Sequence, residues 1–65
     1  MKVQWKENMR TSGFTRKNPD KNKSVYVHRG DIVDVDTRGN LWKDGVCFGH
    51  KDSAAYAGSY DVCSS

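Results

Sequence analysis

Seven valines and one isoleucine stand against a single leucine in this chain of 65 residues. Branching at Cβ stiffens χ1 and disfavours helix, while the same side chains pack well on a pleated surface. The chain is therefore expected to be all-β: a small SH3-like barrel or a strongly twisted antiparallel sheet. Periodicity agrees. Val3 and Trp5 alternate with Lys2, Gln4 and Lys6, the mark of a half-buried strand. Val25-Tyr26-Val27-His28 alternates in the same way. In Ile32–Asp36, the strongest strand pattern, Val33 and Val35 share one face and Asp34 and Asp36 the other. Tyr60–Cys63 reads as a closing strand.

Turn chemistry separates these runs. Asn18-Pro19-Asp20, Arg29-Gly30-Asp31 and Thr37–Asn40 supply residues that accept tight bends. Asp44-Gly45 lies between apolar residues and predicts a type I′ hairpin turn, which needs positive φ at both centres. Residues 7–11 are polar and unpatterned apart from Met9, and Thr11–Thr15 predicts a turn and a short strand. Residues 53–57 predict one helical or 3₁₀ turn, capped by Ser53 and ended by Gly58. The whole, residues 1–65, is expected to be one domain, with 16–24 as a mobile basic loop.

So short a chain builds one small core at most. It cannot also line the deep pocket that small-molecule sites use. It carries no nucleophile elbow, no paired-histidine helix and no glycine-rich phosphate loop. An enzyme is not expected, nor a cofactor. Cys47 and His50 have a zinc-like spacing, but a structural site needs a second close pair of ligands, so no metal is expected.

Charge is divided unevenly. Residues 1–29 hold eight Lys/Arg against two acids, a net +6; residues 30–65 hold three against six, a net −3; together they make the chain's +3. A basic half beside an acidic half suggests an oriented field. No apolar leader and no membrane-spanning run is visible, so a cytoplasmic protein with reduced Cys47 and Cys63 is expected.

From His28 to Val62 the order of features resembles an SH3-like barrel. Val27–Val35, with its Arg-Gly-Asp turn before an apolar pair, is similar to the diverging turn and following strand. Trp42 falls where the first tryptophan of the conserved pair sits. Gly58–Val62 is similar to the closing stretch. Lys43 stands where a second aromatic is usual, and the closing proline is missing. The resemblance thus implies the barrel shape and not the grip on proline-rich peptides.

Two functional readings follow. In the first, the protein is a small accessory or regulatory protein. It contacts DNA or RNA, or an acidic protein site on a nucleic-acid machine, through Arg16, Lys17, Lys21 and Lys23, with Arg10, Arg29 and Lys6 behind them. Such cations neutralise phosphates, and Phe14 is the exposed ring expected to stack on bases. Trp5 is expected in the core, beside Val3. In the second, it is a protein-binding module or inhibitor of a larger complex, acting through a sheet edge, Trp42 and the acidic strand face of Asp34 and Asp36. Alternation sets those two carboxylates about 7 Å apart. Self-association is a further partner expectation, and a membrane is not expected.

Overall fold

A computed structural model describes residues 1–63. Ser64 and Ser65, the last two residues of the expected domain, lie outside the described residues. Seven strands form: β1 (Lys2–Trp5), β2 (Met9–Thr15), β3 (Lys23–Val27), β4 (Ile32–Val35), β5 (Asn40–Lys43), β6 (Val46–His50) and β7 (Tyr60–Cys63). They make one antiparallel sheet in the order β3-β2-β6-β5-β4-β1-β7. The sheet curls strongly into a half-barrel, an all-β fold without helix among the described residues.

The concave face holds the core. Val3, Trp5, Val25, Val27, Val33, Val35, Leu41, Val46 and Phe48 pack there, with Met9, Tyr56 and Tyr60 against them. These are the inward residues of each alternating run, so β1, β3 and β4 follow the period-2 pattern of the sequence. Trp5 is the largest fully buried side chain. Its ring stacks on Tyr60 at 5.5 Å and meets Phe48 and Tyr56 edge-on.

The Asp44-Gly45 turn has the expected backbone, with φ of 52° and 79°. The Asn-Pro-Asp turn also closes as expected, through Lys21 N–H to the Asn18 carbonyl at 3.1 Å. Residues 53–57 depart from expectation. Tyr56 and Ala57 both donate to the Ser53 carbonyl, at 3.1 and 3.2 Å, but the bonds end there and no helix forms. Gly58, at φ 83°, turns the chain away.

The larger departure is β2. The sequence suggested a turn and a short strand over Thr11–Thr15; β2 instead runs seven residues from Met9. Its bonds come from two neighbours in succession. Met9–Gly13 pair with β3, and Phe14–Thr15 pair with β6. β3 accordingly begins at Lys23, so the last two residues of the expected loop are strand. Gly13 permits the crossing. A Cβ there would lie 2.0 Å from the Cys47 carbonyl oxygen, so any side chain would push β2 off β6.

Candidate functional site

A single row of residues crosses the convex face. Phe14 pairs with Cys47, Cys47 with Trp42, Trp42 with Asp34, and Asp34 with Lys2. Directly opposed residues of antiparallel strands share a face. Cys47, Phe14 and Trp42 therefore form a second small cluster outside the barrel, separate from the core. β6 lies mid-sheet and is covered on both sides, with Val46 and Phe48 inside and Cys47 outside. Burial pushes the Cys47 thiol pKa up.

Trp42 is held on three sides. Its indole N–H donates to Asp36 at 3.0 Å. The Arg16 guanidinium lies 4.6 Å from the centre of its ring. Phe14 meets it edge-on at 6.2 Å. Asp36 in turn is fixed by the turn that follows β4, accepting from the backbone amides of Arg38 and Asn40 at 2.9 Å each. The Trp42 indole, then the Asn40 amide, hold the Asp36 carboxyl well below the usual carboxylate range. The side chain expected on an acidic contact surface is thus committed to a turn and a tryptophan.

An open groove of about 570 Å³ runs beside Trp42, lined by Thr15, Arg16, Lys17, Asp34, Asp36 and Asp44 among others. A second concavity of about 420 Å³ brings Arg38 next to Phe14, Arg16 and Trp42.

Ion pairing separates the two signs of charge. Lys2 pairs with Asp34 at 2.9 Å, Lys6 with Asp61 at 3.8 Å, Lys43 with Asp44 at 3.3 Å and Lys51 with Asp52 at 3.1 Å. Asp31 takes the His28 amide and lies 4.0 Å from Lys43. Glu7 accepts from the Ser59 hydroxyl at 3.0 Å. Asp20 is the one acid without such a partner among the described residues. Among the described residues Arg10, Arg16, Lys17, Lys21, Lys23 and Arg29 form no salt bridge, and all six belong to the β2–β3 hairpin or its immediate flank.

The structure therefore gathers most of the expected cations and Phe14, which is 41% exposed, on one arm. Lys6 is the exception, since it follows β1 and pairs across to β7. Trp42 joins Phe14 and Arg16, although sequence reasoning assigned it to a different surface. Trp5 lies in the core, as its position beside Val3 suggested.

Two residues were missed. Tyr26 is 50% exposed and stands opposite Arg10. Alternation carried that signal, because Val25 and Val27 turn inward. Arg38 forms no salt bridge among the described residues and reaches the cluster from the β4–β5 turn, and no local pattern signals it. The Cys47 thiol faces the Gly49 carbonyl at 4.0 Å, and the His50 Nε2 meets the Arg38 carbonyl at 2.7 Å; among the described residues no group of three or more His, Cys, Asp or Glu could hold a metal ion. Among the described residues no helix is long and apolar enough to cross a membrane.

No family model matches the chain, and neither a curated protein nor a solved structure matches it at a significant level.

Proposed function

We propose that this protein binds nucleic acid through the β2–β3 hairpin, using unpaired cations to neutralise phosphates. One observation carries the reading. Nearly every carboxylate is already engaged, while Arg10, Arg16, Lys17, Lys21, Lys23 and Arg29 have no salt-bridge partner among the described residues and share one arm. Free cations on one arm give a directed positive field, and each phosphate they neutralise releases counterions. The exposed Phe14 and Tyr26 add rings between those charges.

The protein-partner alternative has less support. Asp34 is occupied by Lys2, and Asp36 by Trp42 and Asn40. What favours it is the free β7 edge, where Val62 is 66% exposed and open to a partner strand or a second copy. The SH3-like reading of residues 27–62 belongs to the same proposal. It is supported by the β4–β5–β6 meander, by Trp42 on its middle strand, and by β7 returning beside β1. A cytoplasmic setting is also part of the proposal, and Cys47 and Cys63 are both free cysteines.

The test is a titration with mixed-sequence nucleic acid at low and at physiological salt. Saturable binding is expected, with log K falling against log salt by about 0.7–0.9 per phosphate contact. The triple change Lys17→Glu, Lys21→Glu, Lys23→Glu should flatten that slope by about 2 and weaken binding at every sequence. Absence of binding at low salt would overturn the proposal.

A further inference from the structure

We infer that the Trp42 ring, held against Phe14 and Arg16 on the convex face, is a stacking seat for one unpaired base, so that the ligand is single-stranded. This rests on the nucleic-acid reading of the hairpin and narrows it to a strand type and a residue.

The chemistry of the groove carries the argument. Its floor is an indole, and an indole offers a π-face to any base. Of the three acids that line the groove, Asp34 is paired by Lys2 and Asp44 by Lys43, and the oxygens of Asp36 are taken up by Trp42 and two backbone amides. The cations that line it, Arg16 and Lys17, have no carboxylate partner among the described residues. A ligand with an aromatic part and an adjacent negative charge fits that combination, and a nucleotide within a strand has both.

Trp42 is also positioned in advance. The Asp36 carboxylate fixes the ring through its N–H at 3.0 Å, and Asp36 is itself fixed by the turn at Arg38–Asn40. Little rotamer freedom remains to be lost on binding. In the free protein Arg16 covers the ring at 4.6 Å. A guanidinium on a partly exposed indole is held weakly, and a stacked base is held more strongly. An arriving base therefore displaces Arg16. The displaced guanidinium keeps its charge, one side-chain length from the seat, for the flanking phosphate. In a duplex both faces of each base are covered by neighbours, so the seat takes only an unpaired base.

The experiment compares three oligonucleotides of one length with the unmodified protein at low salt: a thymidine strand, an abasic strand with the same phosphates, and a duplex. The thymidine strand should bind at least about five-fold more tightly than the abasic strand, as one stacked base implies. It should quench Trp42 emission, while the duplex and the abasic strand leave that emission unchanged. Trp42→Ala should weaken thymidine-strand binding by a similar factor and leave duplex binding unaltered, with Trp42→Phe restoring most of the loss.

Equal affinity for the thymidine and abasic strands would overturn the stacking seat and leave the phosphate-binding hairpin standing. So would equal loss of single-strand and duplex binding in Trp42→Ala. No binding of any of the three would overturn both. The abasic comparison needs no variant, so it decides the matter even if Trp42→Ala fails to fold.

Discussion

The two tryptophans occupy opposite faces of one curled sheet. Trp5 is 1% exposed, packs on Phe48, Tyr56 and Tyr60, and has no hydrogen-bond partner for its indole N–H among the described residues. Trp42 is partly exposed, and its N–H is taken by Asp36. An orphaned buried donor costs about 1–3 kcal/mol. Burying so large a ring outweighs that, since removing a core Trp or Phe typically costs about 3–5 kcal/mol. The chain therefore spends its largest side chain on volume in one place. In the other it holds the same side chain still and leaves part of it in solvent. Volume builds a fold; an oriented, accessible ring is what a contact surface uses.

The most direct way to break that comparison is to truncate each ring. Trp5→Ala should cost about 3–5 kcal/mol, enough to leave a chain with so small a core largely unfolded at 25 °C. Trp42→Ala should cost about 1 kcal/mol or less, as a partly exposed side chain outside the core. Urea denaturation followed by circular dichroism measures both. Equal losses would mean that Trp42 is a core residue in all but position.

A smaller effect is expected from Gly13→Ala, which asks whether the outer cluster depends on the crossing of β2 over β6. The added Cβ meets the Cys47 backbone, which cannot move aside as a side-chain tip would. The loss should be about 1–3 kcal/mol, the usual range for overpacking. Because Phe14 follows directly, it should be drawn off Trp42, and exposure of the Cys47 thiol to a thiol reagent should rise. A stability loss without faster Cys47 labelling would separate the crossing from the cluster.

The smallest effect expected is acid sensitivity on the Trp42 side. The folded pKa of Asp36 is depressed, first by the Trp42 indole and then by the Asn40 amide, and that of Asp31 by the His28 amide. A depressed carboxylate contributes stability that is complete above its unfolded pKa of about 3.9 and is lost as pH falls toward the folded value. Thermal melts should therefore hold level from pH 7 to 5 and fall below pH 4. Asp36→Asn should lower the melting temperature at pH 7, soften the acid decline, and shift Trp42 emission without disturbing Trp5. An unchanged acid limb in Asp36→Asn would place the sensitivity at Asp31 instead.

Much of this arrangement was legible in the sequence. Val3, Trp5, Val25, Val27, Val33 and Val35 announce their faces by alternation, because a strand's side chains must point to opposite sides in turn. Asp44-Gly45 announces its turn because few dipeptides tolerate two positive φ values. β2 was poorly legible. Met9–Thr15 carries no run of large alternating apolars, and it is a strand because β3 and β6 both supply hydrogen-bond partners. The basic arm was visible as composition, and Phe14 as its exposed ring. Its union with Trp42 and Arg38 was not visible, because 28 and 24 positions of chain separate these residues from Phe14.

The sequence by itself determined the class of the fold, the inward face of most strands and the chemistry of the turns. Each of these is set within a few residues, by Cβ branching, alternation and permitted φ. The tertiary structure alone decided which charges are free. Lys2 is silenced by Asp34, 32 positions away, and Lys6 by Asp61, while the hairpin cations meet no carboxylate among the described residues. Ion pairs and shared faces depend on sheet order and register, and these are settled by how the whole sheet curls over its one core.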